Sequence, residues 1–134
     1  MTKKEIEKIQ EQLSHIENSI QDFYIIIHNL DKESFINDIK TQFACIHAIY
    51  CIQESIYQIQ KIHKDIRTLY PTIEWAKIIK LRTDIAHEYF QLHIDTLWQT
   101  VIADIPRLDR EIPLFKAFIK KLQKGLIPNT SPKR

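Results

Sequence analysis

Apolar side chains recur every three or four residues along most of the chain, a spacing that places them on one face of an α-helix. The first such pattern spans residues 4–30 and predicts a long helix with a single buried stripe. A second pattern spans residues 39–66 and predicts another long helix, which should end before Pro71 because proline disfavours the α conformation in the preceding residue. The stripe positions of the first helix are Ile6, Ile9, Leu13, Ile16, Ile20, Phe23, Ile27 and Leu30.

Three shorter helices are predicted in the second half of the chain. Thr72 is a candidate N-cap for a helix over residues 73–88, and a further helix is expected over residues 94–104. A last helix begins or kinks at Pro106. Pro113 lies inside its apolar pattern and predicts a bend or a break there.

Together these patterns predict an all-α fold, an antiparallel helical bundle of four to five helices led by two long ones. Residues 1–124 are expected to form one helical domain, and residues 125–134 lack periodicity and are expected to form a flexible tail. Asp31 or Ser34 is a candidate cap for the element that follows the first helix. Trp75 and Trp98 occupy apolar positions at helical spacing, so we expect both to fill the core.

Composition narrows the possible functions. The 134-residue chain has a formal net charge of +2. It therefore lacks the overall excess of basic residues that would predict bulk binding of nucleic acid. No segment approaches the roughly 18 uninterrupted apolar residues that a membrane span requires. The single glycine, Gly125, excludes the glycine-rich loops that bind nucleotides or form a nucleophile elbow, and it disfavours an all-β fold with tight hairpins.

The two cysteines are expected to be free thiols. Cys45 and Cys51 lie six positions apart in a predicted helix, about 240° around its axis, which is too far for a disulfide. Reduced thiols favour a cytoplasmic protein. His47 and Cys51 could share a metal, but no second pair at ligand spacing accompanies them, so buried packing is the expectation. The same argument disfavours a metal site built from Asp84, His87 and His93.

The stretch LRTDIAHEYF, residues 81–90, concentrates ionisable side chains in one place. On a continuous helix Arg82 and Tyr89 share a face, whereas His87 lies about 140° from Arg82. These two can converge if the helix ends near Ala86 or if a second subunit contributes a symmetric copy. The alternative is a surface ion pair beside a structural histidine. The ionisable residues of the stretch are Arg82, Asp84, His87, Glu88 and Tyr89.

Residues 70–108 resemble the central signature of HepT-like proteins, HEPN-superfamily toxins of bacterial and archaeal toxin–antitoxin pairs. The family motif is Arg, four residues, His, one residue and Tyr, and Arg82, His87 and Tyr89 match it. A bare arginine and histidine at this spacing would be weakly specific, whereas the flanks add to the likeness. The matching flanks are Tyr70, Pro71, Trp75, Phe90, Trp98, Asp104, Ile105 and Pro106.

The resemblance implies a homodimeric helical bundle in which Arg82 and His87 of both subunits line one cleft and cleave cellular RNA, such as transfer RNA, without a metal or cofactor. Thr83 and Asp84 would support the site. Tyr89 would be the position at which an MntA-like nucleotidyltransferase antitoxin attaches AMP, in a complex that extends beyond the dimer. The chemistry suits these residues, because a histidine exchanges protons near neutral pH and an arginine fork matches phosphate oxygens.

Two positions depart from the usual pattern of the superfamily. Thr83 follows the arginine where many HEPN nucleases have Asn, Asp or His, and Glu88 occupies a position that is often Gly. Some HEPN relatives are non-catalytic partners of nucleotidyltransferases. A binding partner of that kind is therefore the alternative interpretation.

Overall fold

The computed structural model describes residues 1–80 and 94–128, and all regular elements within those ranges are helical. The all-α prediction is therefore confirmed. In chain order the elements are α1 (Lys3–Ile26), α2 (Lys32–Ile36), α3 (Ile39–Ile62), α4 (Ile66–Leu69), α5 (helical from residue 75 to the end of the described range at residue 80), α6 (Ile94–Gln99), a π-helical turn (Thr100–Asp104) and α7 (Ile105–Gln123).

The first helix begins at a capping box. The Thr2 hydroxyl accepts a hydrogen bond from the Glu5 backbone N–H at 3.1 Å, and the Glu5 carboxylate accepts one from the Thr2 N–H at 2.8 Å. The helix ends at Ile26, four residues before the predicted boundary. The backbone reverses there through Asn29, whose φ of 58° lies in the left-handed region that terminates helices.

The element that follows α1 is the short helix α2. Asp31 is its cap, as predicted, and accepts a hydrogen bond from the Ser34 backbone N–H at 2.8 Å. The second long helix does not run to residue 66, so that boundary was wrong. At His63 the backbone becomes extended, with φ −135° and ψ 102°, before α4 begins. The apolar pattern conceals this break because Ile66 is still fully buried.

The next helix begins at residue 75, so the prediction that Thr72 caps it was wrong. The Trp75 backbone N–H donates to the Ile73 carbonyl at 2.9 Å, and the Glu74 carbonyl accepts the first helical hydrogen bond, from Ile78 at 3.0 Å. The tight turn after Pro71 therefore uses the residues that the pattern had assigned to the first helical turn.

Residues 94–123 form a continuous helical stretch that contains a π-helical turn. The Ile105 N–H donates to the Thr100 carbonyl, five residues earlier. In a regular α-helix the Pro106 ring would collide with the Ile102 carbonyl, and the wider turn relieves that contact. The prediction that Pro106 begins or kinks the last helix is confirmed within one residue, since the π-helical turn ends at Asp104 and α7 starts at Ile105. No break occurs at Pro113, which lies inside α7.

The long helices pack with α1 between α3 and α7, antiparallel to both. Near the start of α1, Glu5 contacts His63 at the end of α3, at 3.3 Å. Farther along α1, the Glu17 carboxylate accepts a hydrogen bond from Lys116 of α7 at 3.0 Å. The predicted stripes form the core: in α1 and α7 the buried positions are Ile6, Ile9, Leu13, Ile16, Ile20, Phe23, Ile105, Leu108, Ile112, Phe115, Ile119 and Leu122.

The stripe assigned to the second long helix is buried only in part. Ile39 and Phe43 are 61% and 47% exposed, whereas Ile49 and Ile52 are fully buried. Both cysteines are free thiols, as predicted. None of the helices in the described ranges has the length and apolar character needed to span a membrane.

Candidate active site

The motif residues all fall between residues 81 and 93, outside the described part of the chain. Their placement therefore stays a prediction. The structure does show how the chain enters that segment from α5 and leaves it into α6. The site residues concerned are Arg82, Thr83, Asp84, His87, Glu88 and Tyr89.

An aromatic cluster holds the start of α5 against α7. Trp75 is 2% exposed, and its indole N–H donates to the Tyr70 carbonyl at 2.8 Å. The Tyr70 ring lies 4.9 Å from the rings of both Phe115 and Phe118, and the Trp75 ring lies 5.5 Å from that of Phe115. Burial raises the pKa of the Tyr70 phenol, and the nearby Glu111 carboxylate raises it further. Two residues that carried the resemblance, Tyr70 and Trp75, are therefore structural anchors for the helix that leads into the motif.

A cluster of ion pairs, here called the α5–α7 clamp, joins the same helix to the π-helical turn and to α7. The Lys77 ammonium lies 3.3 Å from the Asp104 carboxylate and 3.7 Å from that of Glu74. Arg107 lies 3.0 Å from the other Glu74 oxygen. Most of these side chains are about half exposed, so each pair contributes at most about 1 kcal/mol. The clamp orients α5, while the aromatic cluster supplies most of the attachment.

The other flank of the motif is tied to α2. The Trp98 ring lies 5.1 Å from the buried Phe35 ring, and Lys32 forms an ion pair with Asp95 at 3.3 Å. Trp98 is half-buried, so the prediction that both tryptophans fill the core holds fully for Trp75 and partly for Trp98. Both ends of the motif segment are thus fixed to packed helices.

A small cleft, partly open to solvent, lies between the start of α5 and α7. Ile73, Ile78 and Leu108 form apolar walls, and the clamp residues form part of its rim. The Glu111 carboxylate borders it, with one buried oxygen that has no hydrogen-bond partner among the residues described. No histidine lines this cleft within the described ranges.

The metal hypotheses gain no support from the described residues, which contain no group of three or more ligand side chains placed to hold an ion. His47 Nε2 lies 3.6 Å from Cys51 Sγ. His47 is exposed, so the expectation of buried packing was wrong for it. Burial raises the pKa of the Cys51 thiol, and Asp22 raises it further, which disfavours the thiolate that a metal needs. The set of Asp84, His87 and His93 lies outside the described residues.

The clamp was not predictable from the sequence. Lys77 and Asp104 are 27 residues apart, and Glu74 and Arg107 are 33 apart, so no helical spacing links either pair. One partial signal existed, since Asp104 belongs to the flanks that carried the resemblance.

Comparison with known proteins identifies the same family that the motif and its flanks resemble. Residues 4–115 match the family model described as ribonuclease HepT-like. A protein of Thermococcus cleftensis named "Probable ribonuclease HepT" is 40% identical over 76 residues, which cover 57% of this chain and 66% of that protein, just under two thirds. Two proteins of Methanocaldococcus jannaschii that carry the name RNase are 34% and 32% identical over 95 residues, 71% of this chain and 77% and 74% of theirs.

No solved structure matches this chain significantly. The family match nevertheless covers both the motif and the two long helices that precede it, where the resemblance in sequence was looser. The chain therefore belongs to the HepT-like family.

Proposed function

We propose that this protein is a metal-independent RNA endonuclease and the toxin of a type VII-like toxin–antitoxin pair, acting in the cytoplasm on cellular RNA such as transfer RNA. One observation carries the proposal. The family match over residues 4–115 includes Arg82, His87 and Tyr89 at the motif spacing. The anchored flanks support it, because a catalytic segment must be held in a fixed position.

The chemistry requires little from the protein, because RNA supplies its own nucleophile. His87 accepts the proton of a 2′-OH, and that oxygen attacks the adjacent phosphorus. The Arg82 guanidinium stabilises the charge that builds on the pentacovalent phosphate. The bond from phosphorus to the 5′ oxygen then breaks, and the departing oxygen takes a proton from the second His87 of a dimer. The products are a 2′,3′-cyclic phosphate and a 5′-hydroxyl, with Thr83 and Asp84 offering hydrogen bonds around the site.

A homodimer is part of this proposal. On one regular helix the side chains of Arg82 and His87 point about 140° apart, so a single copy does not aim both at one phosphate. A two-fold axis near α5 would place the arginine of one copy opposite the histidine of the other.

Regulation is proposed to act through Tyr89. An MntA-like nucleotidyltransferase would transfer AMP from ATP to the phenol oxygen and release pyrophosphate. The added phosphate lies two residues from His87 in sequence, and it would offer Arg82 a competing anion. Mass spectrometry after incubation with the partner enzyme and ATP tests this step. We expect one added AMP on the wild type and none on Tyr89→Phe; equal addition to both would exclude Tyr89.

A second candidate function rests on Thr83 and Glu88, the two departures from the common HEPN pattern. A chain whose site has lost activity would serve as a non-catalytic binding partner of a nucleotidyltransferase. Such a protein would bind the enzyme but leave RNA intact.

Cleavage of purified transfer RNA in the presence of a chelator separates the two functions. The wild type should cut, and Arg82→Ala and His87→Ala should each abolish cutting while helicity and melting stay nearly unchanged. His47→Ala is the matched control, because His47 is an exposed histidine outside the motif. Intact RNA with the folded wild type would favour the binding partner. Unchanged cutting by either motif variant would remove that residue from the mechanism.

A further inference from the structure

The small net charge of the chain conceals an uneven distribution. Three segments meet at one end of the bundle: the start of α1, the end of α3 with α4, and the end of α7. We call this region, residues 1–11, 58–67 and 117–128, the basic end. It carries nine basic and four acidic side chains, a net charge of +5, and since the whole chain carries +2 the remainder carries −3.

Two contacts show that these segments are neighbours. Glu5 of α1 lies 3.3 Å from His63 at the end of α3. Gln10 of α1 donates to Gln123 of α7 at 3.2 Å. The total charge of the chain does not reveal this clustering, because it sums residues from every part of the bundle.

The basic side chains of this end are exposed, and none forms an ion pair with another residue of the described ranges. Elsewhere Lys32, Lys77, Arg107 and Lys116 are each paired with a carboxylate. The charge at the basic end is therefore not neutralised locally. Its members are Lys3, Lys4, Lys8, Lys61, Lys64, Arg67, Lys120, Lys121 and Lys124.

Part of the basic end has the shape of a groove. An open groove lies between α1 and α3, and Lys4, Lys8 and Lys61 line it. Glu5 also borders the groove, but its carboxylate is engaged with the Thr2 backbone and with His63. The groove thus presents three ammonium groups on two helices, an arrangement that suits successive phosphates of a nucleic-acid strand.

We propose that the basic end is a docking surface for the phosphate backbone of RNA, separate from the residues that cut it. The proposal rests on the proposed ribonuclease function and identifies where the substrate is held. An acidic protein partner is less well matched, because protein interfaces have apolar and aromatic centres with few charges. At the basic end, Leu126 is the sole large apolar side chain that is well exposed in the described ranges.

The flank that leads into the motif begins beside the basic end, where the Tyr70 ring lies 4.9 Å from the Phe118 ring. Farther along, Lys77 contacts Asp104 before the start of α7, and after the motif Asp95 contacts Lys32 in α2. The groove lysines are not motif residues, so their loss should raise KM more than it lowers kcat.

The test compares two triple variants that lose the same charge. Lys4→Gln/Lys8→Gln/Lys61→Gln removes the groove lysines, and Lys40→Gln/Arg110→Gln/Lys116→Gln removes three basic side chains from the rest of the bundle. The probe is a fluorescently labelled 2′-O-methyl RNA of transfer-RNA length, which lacks the attacking hydroxyl and stays intact. Binding is measured by fluorescence anisotropy over a range of salt concentrations, with circular dichroism to verify folding.

We expect the groove variant to bind about 100-fold more weakly at roughly 0.1 M salt, with a salt slope lower by about 2, since each contact to single-stranded phosphate contributes about 0.7. The control variant should stay within a few-fold of the wild type. Equal losses in both variants, or no binding by the wild type, would overturn the docking surface. Displacement of RNA by polyglutamate of matched charge would overturn it in favour of an acidic protein.

The ribonuclease assignment is tested independently of this surface. Cleavage that depends on His87, together with unaltered RNA binding by the groove variant, would refute the docking surface alone. Lysine-dependent binding without cleavage would refute the ribonuclease and leave an RNA-binding protein.

Discussion

The carboxylate of Glu5 has two roles where α1 begins, as a member of the capping box and as the partner of His63. The hydrogen bond from the Thr2 backbone N–H is the main cause that lowers the pKa of Glu5, and the contact with His63 lowers it further. A carboxyl whose pKa is lower in the folded state stabilises the fold above its unfolded pKa, near 4.5. That contribution is lost as the pH falls through the folded pKa.

The pH dependence of stability should therefore respond to Glu5→Gln. At pH 7 the variant should be less stable by up to about 1 kcal/mol, and the difference should narrow as the pH falls through the lowered folded pKa. Urea unfolding at pH 7 and pH 3.5 measures both values. Glu7→Gln, which removes the same charge two residues farther along α1, is the control and should have a smaller effect. An equal Glu5→Gln deficit at both values of pH would show that ionisation of this carboxyl is irrelevant.

Among single side chains, Trp75 should contribute more to the free energy of unfolding than its residue type alone suggests. Its buried indole N–H is bonded to the Tyr70 carbonyl at 2.8 Å. Trp75→Phe should lower the free energy of unfolding by about 1–3 kcal/mol, because it leaves a buried carbonyl without its donor and removes packing area. Trp98→Phe, at a half-buried ring, should cost less in the same denaturation experiment. A larger loss at Trp98 would contradict the assignment of Trp75 as the principal anchor.

At the scale of whole elements, periodicity identified which face of each helix is buried but not where the helices break. The stripes of α1 and α7 were predictable because their apolar spacing directly reflects packing. The interruption at His63 was not, because Ile66 continues the apolar pattern after the backbone has changed conformation. The π-helical turn before Pro106 was also hidden, since it depends on a shift of hydrogen-bond partners that leaves Val101 and Ile105 buried.

Replacing the two prolines of the last helix with alanine should change the stability of the protein by different amounts. Pro113 is exposed inside α7, where it removes a hydrogen bond, so Pro113→Ala should stabilise the protein by roughly 1–3 kcal/mol. Pro106 lies in the first turn after the π-helical turn, where a proline costs little, so Pro106→Ala should give a smaller gain. Thermal melting of both variants measures the difference. A loss of stability in Pro113→Ala would mean that the proline is favourable in α7.

At the scale of the molecule, the sequence indicated a helical bundle and a short motif, whereas the arrangement of charge emerged only from the fold. The clamp and the basic end join residues that are far apart in the chain. Lys4 and Lys61, for example, line one groove although 57 positions separate them in sequence. Motif residues such as Arg82 could be selected from the sequence because their spacing is specific, but their geometry depends on the segment between α5 and α6.

Assembly is the property of the whole molecule that the proposed mechanism most requires. We expect a dimer by analytical ultracentrifugation at micromolar concentration. RNA cleavage per chain should fall on dilution below the dissociation constant, because each cleft needs Arg82 and His87 from two copies. The control is the melting temperature of the dissociated chain, which shows whether it is still folded. A folded monomer that cuts RNA at full rate would exclude the shared cleft.

The central claim is that RNA is cut by its own 2′-OH with help from His87 and Arg82, and the chemical ends of the products test it most directly. Purified transfer RNA is incubated with the wild type in the presence of a chelator, and the fragments are analysed by mass spectrometry. We expect a 2′,3′-cyclic phosphate, or the monophosphate formed by its hydrolysis, together with a 5′-hydroxyl. A 3′-hydroxyl paired with a 5′-phosphate, or no cleavage by the folded protein, would contradict it.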